Sequence, residues 1–200
     1  PIEQVSETLC GFIKAGKIKS FGFSEIAPTS LEKASAVHHV AAVQSEYSLS
    51  VRSPEMGLVQ ATGKLGAALV AFSPVGRSLL TDRPHNQSRI AEMAWMRKNP
   101  RFIEPNLSAN VNASAGFRAL AAEMGASAAG LAIAWLLHRE DHIIPIPGTR
   151  SVAHFQELCD GARLRLSGDD MARIEAILPI GWAHGDRYSD DQWIGPERYC

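Results

Sequence analysis

The sequence lacks the features of several protein classes. Its three cysteines, Cys10, Cys159 and Cys200, are odd in number and far apart, which excludes a disulfide framework and favours a reducing compartment. Lys and Arg total 20 against 21 Asp and Glu, so the formal charge of -1 offers no basic surface for nucleic acid. No apolar run approaches the roughly 18 residues of a membrane span, and the first residues do not resemble a signal peptide. These absences predict a cytoplasmic protein that binds neither nucleic acid nor membrane.

Two common phosphate-binding motifs are missing as well. The chain contains neither the G-x-G-x-x-G pattern of Rossmann domains nor the G-x-x-x-x-G-K-S/T pattern of P-loops. What is present is a 200-residue chain that is 46% hydrophobic, enough for one core. We therefore expect residues 1–200 to form a single domain.

Four short apolar runs, each bounded by Gly, Pro or Ser, alternate with segments of helical spacing. The runs comprise residues 16–24, 41–48, 69–74 and 142–149. Such alternation predicts an α/β fold in which helices connect parallel strands. Residues 77–110 are polar and contain several prolines, and we expect a long ligand-covering loop with a short helix around 90–98. Residues 181–200 are aromatic but irregular, and are predicted to pack over the fold as a tail.

Polar side chains follow the predicted strands at matching places. Because the carboxyl ends of parallel strands meet at one edge, these residues should lie close together and form a ligand site. For any one of them alone, a helix cap or a turn is the simpler explanation. The residues, in strand order, are Ser24 and Glu25, Gln44 and Tyr47, Ser73 and Arg77, Thr149 and Arg150.

Two of these strand ends resemble anion sites. Phe72–Arg77 is a small-residue loop that ends in an arginine, and Gly148–Arg150 precedes a helix predicted to begin at Val152. Turn amides, helix N-termini and arginine side chains all favour an anion. Two such segments on neighbouring strands predict a ligand that carries a pyrophosphate and one further phosphate.

Taken in order, these segments resemble the C-terminal half of an aldo-keto reductase. Residues 16–25, 43–48, 71–77 and 144–150 resemble strands five to eight of that family, residues 130–136 the helix before strand eight, and residues 185–188 a tail of bacterial members. The resemblance implies the C-terminal half of a (β/α)8 barrel, which needs a complementary half. It further implies an oxidoreductase that uses NADPH to reduce an aldehyde or a ketone.

The resemblance also implies a role in NADPH binding for twelve residues. Ser24 and Gln44 would bind the nicotinamide carboxamide, and Phe72 would stack on the nicotinamide ring in place of the usual tyrosine. The remaining residues are Ser73, Val75, Gly76 and Arg77 at the pyrophosphate, Gly148, Thr149 and Arg150 at the 2′-phosphate, and His154 and Gln156 at the adenosine. Leu158 stands where the family usually has the asparagine that holds the adenine.

The family's catalytic Asp, Tyr, Lys and His belong to strands one to four, so the resemblance implies no catalytic residue in this chain. Tyr47 is the only tyrosine predicted at the ligand edge, and its motif matches a cofactor-side position. No metal site is predicted either, since His138 and His142 read as a solvated helix end.

Four parallel strands alone would leave two edges and one face uncovered, with residues such as Val43, Phe72 and Ile144 along the interior. The complement would be a missing N-terminal half-barrel, which would make this a truncated chain, or a second copy of the chain. A non-catalytic half-barrel that senses nucleotide or acts as a scaffold is the alternative function.

Overall fold

In the computed structural model, which describes residues 1–198, nine α-helices and four β-strands alternate along the chain. The strands are β1 (Gly22–Ser24), β2 (Ala42–Glu46), β3 (Ala68–Phe72) and β4 (Ile143–Ile146). The helices are α1 (Ile2–Lys14), α2 (Pro28–Val37), α3 (Leu58–Leu65), α4 (Gln87–Ala91), α5 (Asn106–Ala113), α6 (Ala115–Glu123), α7 (Ala128–Leu137), α8 (Val152–Arg163) and α9 (Gly168–Ile177). Each strand coincides with one of the four predicted runs, and only β3 begins outside its run, by one residue at Ala68.

The strands form one parallel sheet in the order β1-β2-β3-β4. The prediction of parallel strands connected by helices is therefore confirmed. Because every strand points the same way, the segments that follow the four strands emerge at a single edge of the sheet. We call this the carboxyl edge.

The two faces of the sheet differ in what covers them. Val43 is paired in register with Leu69, and Leu69 with Ile143; all three are buried in the core with side chains of α2, α3 and α7. The opposite face carries Ile144 and Ile146, which are 50% and 41% exposed. We call this second face the open face. The prediction that Val43 lines the interior together with Ile144 was wrong. Through Leu69, Val43 is in register with Ile143, and consecutive residues of a strand face opposite sides of the sheet, so Ile144 lies on the other face.

The outer edge of β4 offers no free amide over residues 143–147. The His142 carbonyl accepts a hydrogen bond from Leu69 N at 2.9 Å, so in a parallel ladder Ile144 and Ile146 face β3 while the alternate residues face outward. Of those, Ile143 donates its amide to Glu140 O, and Pro145 and Pro147 have none. An edge that has carbonyl acceptors but no amide donors disfavours non-specific pairing with a strand of another molecule.

Residues 77–110 are more structured than the long loop that was predicted. Asn86 caps α4 by accepting a hydrogen bond from Arg89 N at 2.9 Å, so the helix begins early and ends at Ala91. Short 3-10 turns follow, and the helix predicted around 90–98 was wrong in its bounds. The segment has its own small core, made of Leu79, Ile90, Met96, Phe102 and Leu107. We call residues 77–110 the excursion.

The described part of the tail is bonded to the excursion and to the sheet. Asn99 and Asn110 donate to the carbonyls of Arg187 and His184, and Arg187 in turn pairs with the carboxylate of Glu25. The Trp182 indole donates to Leu49 O at 2.8 Å. The tail is thus fixed by hydrogen bonds whose partners lie far away in the sequence.

No single helix among residues 1–198 is long and apolar enough to cross a membrane; a pair bent by 88°, Asn106–Glu123 with Ala128–Leu137, has the combined length and composition.

Helices α7 and α8 approach so closely that Gly161 has no room for a side chain. A Cβ placed there would lie 2.3 Å from Gly130 O. We expect Gly161→Ala to destabilise the fold by about 2 kcal/mol, because overpacking against backbone outweighs the helix propensity of alanine. Gly11→Ala, in α1 with no atom near its Cβ, is the matched control and should stabilise by up to about 1 kcal/mol. Denaturant unfolding compares the two, and equal effects would contradict the close approach.

Candidate functional site

Three of the predicted residues lie on the open face near the carboxyl edge. Ser24 and Gln44 are direct neighbours in the β1–β2 register, and both are exposed. Phe72 is paired with Ile146 in the β3–β4 register and is half-buried. Their positions follow from strand alternation, which places Gln44 and Phe72 on the same side of the sheet.

The backbone at the carboxyl edge is strained where the strands end. Glu25 follows β1 with a φ of 54°, and Ser73 follows β3 with a φ of 51°. Arg77 and Ser78 also have positive φ, at 53° and 93°. Each non-glycine residue in such a region costs about 1–3 kcal/mol and is most often found at functional sites. These four are all the positive-φ residues other than glycine in the described chain, and no sequence pattern predicted them.

The loop after β3 has the backbone alternation of an anion-binding nest. Val75 has φ of -98° and ψ of 21°, and Gly76 follows in the left-handed region with a φ of 58°. Such an alternation turns successive amides toward one point, where an anion can accept from them. The Gly76 amide donates to Ser73 O at 2.9 Å, so the amides of Val75 and Arg77 are the donors that the nest offers. Gly76 has little room for a side chain, since a Cβ would lie 2.9 Å from Ser50 Oγ.

The segment after β4 is ordered by its own hydroxyl groups. Thr149 Oγ1 accepts a hydrogen bond from Ser151 N at 3.1 Å, and Ser151 Oγ accepts from His154 N to cap α8. Gly148, Thr149 and Arg150 are exposed beside this helix N-terminus. An exposed arginine and a helix N-terminus together favour an anion.

A cavity of about 860 Å³ lies between these two loops and the excursion. Its volume is in the range of ligand pockets, roughly 300–1,000 Å³. Of the twelve predicted residues, those that line it are Val75, Arg77, Gly148, Thr149 and His154. Those that do not are Ser24, Gln44, Phe72, Ser73, Gly76, Arg150 and Gln156. The Gln156 amide bonds to Asp160 on the exposed side of α8.

Several lining residues were not predicted. From the excursion these are Ser78, Thr81, Asp82, Arg83, His85, Met93 and Met96; helices α7 and α8 add Ala129, Ala153, Glu157 and Leu158, and Pro147 lies just after β4. Asp82 explains how the excursion reaches the cavity: its carboxylate accepts from Ala128 N, at the start of α7. The polar composition of residues 77–110 indicated a covering segment but could not identify which of its side chains face inward.

The cavity wall includes a histidine, His85, whose pKa is lowered. Burial lowers the pKa of His85, and the nearby charge of Arg89 lowers it further. The His85 amide donates to Ser78 Oγ at 3.1 Å, which joins this part of the excursion to the strained loop.

Arg77 does not present a free guanidinium to the cavity. Its Nε and Nη2 donate to the two carboxylate oxygens of Glu46 at 3.0 and 2.9 Å, and its guanidinium lies 4.0 Å from the Trp95 ring centroid. The arginine that the sequence analysis placed beside an anion is thus paired with a carboxylate in the structure. The physical reason is that Glu46 is buried and needs a cation beside it.

A second buried carboxylate supports the edge. Glu25 accepts from Ser45 Oγ at 3.0 Å and from Glu46 N at 2.8 Å, and it pairs with Arg187. Burial alone would lower the pKa of Arg187, but the carboxylates of Glu46 and Glu25 outweigh burial and raise it. Arg187 therefore stays charged between the two glutamates.

Two other residues weighed in the sequence lie away from this cavity. The imidazoles of His138 and His142 are half-buried: His138 Nε2 accepts from Leu166 N at 3.1 Å, and His142 Nε2 lies 3.1 Å from Thr62 Oγ1. His138 thus links the end of α7 to the segment before α9, and His142 links the start of β4 to α3, whereas a solvated helix end was predicted. Within residues 1–198, no three His, Cys, Asp or Glu side chains are grouped to hold a metal ion.

Tyr47 is buried beneath the sheet and not at the ligand edge. Its hydroxyl donates to Glu55 Oε1 at 2.8 Å, and burial raises its pKa, so it stays protonated. Burial also favours a high pKa for Glu55, but hydrogen bonds from Arg52 and Tyr47, together with the charges of Arg52 and Arg139, lower it below the ordinary value. This cluster is a structural support of β2.

The lowered pKa of Glu55 makes a pH-dependent contribution to stability. The contribution is complete above the ordinary pKa of glutamate and is lost as the pH falls through the lower folded-state pKa. Glu55→Gln should therefore reduce the free energy of unfolding by about 2 kcal/mol at pH 7, and the difference from wild type should shrink in acid.

Glu92→Gln removes an exposed carboxylate that pairs with Arg89 and is the control. Glu92→Gln should leave the free energy of unfolding unchanged both at pH 7 and in acid. Urea unfolding at several pH values tests both variants, and a loss for Glu55→Gln that does not vary with pH would contradict the assignment.

Comparison with known proteins extends over nearly the whole chain. The sequence profile of the Aldo/keto reductase family matches residues 1–179. A probable aldo-keto reductase 1 from Glycine max is 33% identical over 188 residues, which are 94% of this chain and 54% of that protein. Aldo-keto reductase yakc [NADP(+)] from Schizosaccharomyces pombe is 31% identical over 191 residues, 94% of this chain and 56% of the relative.

Solved structures give the same picture of the fold. Glycerol dehydrogenase AKR11B4 from Gluconobacter oxydans superposes with a TM-score of 0.75 at 23% identity, covering 89% of this chain and 54% of that one. A thermostable aldo-keto reductase, Tm1743, bound to the inhibitor epalrestat, gives 0.67 at 23% identity, with 88% and 55% covered. The chain spans about half the length of the relatives that it matches.

Proposed function

The chain belongs to the aldo/keto reductase family, and on this premise we propose that it carries the cofactor-binding part of an NADPH-dependent oxidoreductase that reduces an aldehyde or a ketone. The observation that carries the proposal is the cavity of about 860 Å³ that joins the strained loop after β3 to the N-terminus of α8. Both segments favour anions, and a dinucleotide with three phosphates needs two such places.

The nicotinamide end is proposed to lie at the open face. Ser24 and Gln44 are exposed neighbours that can donate to and accept from a carboxamide. Phe72, half-buried on the next strand, offers an aromatic face for stacking on the ring. When bound here, NADPH supplies the hydride that a carbonyl carbon accepts.

The phosphate groups are proposed to bind at the two loops. Ser73, Val75, Gly76 and the backbone of Arg77 would surround the pyrophosphate, with the amides of Ser73, Val75 and Arg77 as donors, since the Gly76 amide already donates to Ser73 O at 2.9 Å. Gly148, Thr149 and Arg150, with the N-terminus of α8, would bind the 2′-phosphate, and His154 and Gln156 would adjoin the adenosine. The exposure of Arg150 and the position of Thr149 and His154 in the cavity wall support this arrangement.

The proton donor is proposed to come from the complementary half of a barrel. Tyr47 is unsuitable, because its hydroxyl is bonded to Glu55 and its pKa is raised by burial. The family resemblance places the catalytic Asp, Tyr, Lys and His on strands one to four of a (β/α)8 barrel, of which β1–β4 here would be strands five to eight.

The open face and the two free edges of the sheet support such a half-barrel within a single domain. Ile144 and Ile146 leave apolar surface uncovered, and a parallel sheet is normally covered on both faces. The complement would be an N-terminal half-barrel or a second copy of the chain. A strand that pairs with the outer edge of β4 must donate hydrogen bonds to the carbonyls of Ile143 and Pro145, since that edge provides no amide in return.

The oxidoreductase proposal is tested by NADPH consumption with a panel of small aldehydes and ketones, using the intact natural gene product. We expect turnover of at least one carbonyl compound. Tight NADPH binding without any turnover would contradict the enzyme and favour the nucleotide-sensing half-barrel instead.

The 2′-phosphate assignment predicts a cofactor-selective effect of Arg150→Ala. The loss of a charge-assisted hydrogen bond should weaken NADPH binding about tenfold or more and leave NADH almost unchanged. Arg163→Ala is the control: it removes an exposed arginine at the other end of α8, where it pairs with Asp160. It should change the affinity for neither NADPH nor NADH. Fluorescence titration measures the Kd of wild type and of each variant for NADPH and for NADH. Equal weakening of NADPH and NADH binding by Arg150→Ala would rule out the assignment.

A further inference from the structure

We propose that Arg77 is a positioning residue of the dinucleotide site and not a phosphate ligand. Its ion pair with Glu46 holds the loop after β3 in its binding conformation and holds the excursion and the tail beside it. This inference rests on the proposed function, because it assigns a role within the same cavity.

The first observation is how completely the guanidinium is engaged. Arg77 makes two parallel hydrogen bonds to Glu46, and the side chains of these residues are only 14% and 4% exposed. Planar, two-point pairing of this kind fixes geometry as well as charge. To reach a phosphate, Arg77 would have to leave a buried carboxylate that would keep only a longer ion pair, with Arg187 Nε at 3.5 Å, among the described residues.

The second observation is that one side chain joins three separate segments. Glu46 is the last residue of β2, Trp95 belongs to the excursion and Tyr188 to the tail. The Arg77 guanidinium lies 4.0 Å from the Trp95 ring centroid and 5.4 Å from that of Tyr188. Cation–π contacts of this kind hold the two aromatic residues against the carboxyl edge.

The third observation is the backbone that carries this side chain. Gly76, Arg77 and Ser78 have φ values of 58°, 53° and 93° in succession. Strained residues of this type persist only where their surroundings fix them. The paired guanidinium supplies that restraint, and Val75 and Ser78, which line the cavity, are held with it.

The two possible roles of Arg77 give opposite results for Glu46→Gln. If Arg77 is a positioning residue, loss of the carboxylate frees the loop and weakens NADPH binding. If Arg77 is a phosphate ligand, loss of the carboxylate releases its guanidinium and strengthens NADPH binding. The sign of this change therefore distinguishes the roles.

The experiment is a double-mutant cycle on NADPH affinity in the intact protein, with Glu46→Gln, Arg77→Met and the double variant. We expect each single variant to raise the Kd about tenfold, the double variant to resemble either one, and the dependence of Kd on salt to stay that of wild type. Tighter or unchanged binding for Glu46→Gln, or a reduced salt dependence for Arg77→Met, overturns the proposal.

Arg89→Met is the matched control, since it removes an exposed excursion arginine that pairs with Glu92, and it should leave the Kd unchanged. Arg77→Lys keeps the charge but not the planar pairing, so it should bind NADPH as weakly as Arg77→Met; full rescue by lysine overturns the proposal. If the buried-pair variants fail to fold, Trp95→Leu removes only the stacking partner and should still raise the Kd severalfold, and no change would overturn the proposal.

Failure of the proposed function can be told apart from failure of this inference. If the wild-type protein binds no NADPH, the proposed function fails. The positioning role is then judged by limited proteolysis of the ligand-free protein, in which Glu46→Gln and Arg77→Met should both accelerate cleavage within the excursion and tail. Unchanged cleavage overturns the inference.

Discussion

Two buried carboxylates at the carboxyl edge of the sheet, Glu25 and Glu46, are the constraint on which the site depends. A buried carboxylate is strongly unfavourable unless a cation and hydrogen-bond donors lie beside it. Arg77 satisfies Glu46 from the loop after β3, and Arg187 satisfies Glu25 from the tail. The need to neutralise these charges therefore brings distant parts of the chain to the edge where the strands end.

That arrangement also explains why strain is tolerated in this region. Ser73, Arg77 and Ser78 adopt left-handed backbone conformations that isolated chains avoid. The ion pairs, the stacking of Arg77 on Trp95 and the capping of α7 by Asp82 together fix the surroundings of the loop. The result is a preformed cavity, which reduces the ordering that a ligand would otherwise require.

Much of the fold could be predicted from the sequence, because strand and helix periods are local. The four strands, the parallel sheet and the resemblance to aldo-keto reductases are confirmed. The face of the sheet that a strand residue occupies was predicted less well. Val43 was placed inside the barrel, whereas its register with Leu69 buries it under helices. The bounds of α4 in the excursion were predicted wrongly, because they depend on the Asn86 cap and on the small apolar core of the excursion itself.

The site was predicted in outline but not in its partners. Thr149 was predicted because it follows a strand, and Val75 and His154 because of the resemblance to aldo-keto reductases; all three line the cavity. The pairing of Arg77 with Glu46 joins residues 31 positions apart in the sequence, and that of Tyr47 with Glu55 joins residues eight positions apart. Both depend on where side chains point in the folded chain, which no periodic pattern encodes. The assignment of all twelve residues to a cofactor stays a prediction.

The most direct measurement is a crystal structure of the intact protein grown with NADPH. The expected result is density for the pyrophosphate against the amides of Ser73, Val75 and Arg77, the 2′-phosphate beside Arg150, and Arg77 still paired with Glu46. Ordered NADPH at another place, or an empty cavity at saturating NADPH, would contradict the central claim that the carboxyl edge is a dinucleotide site.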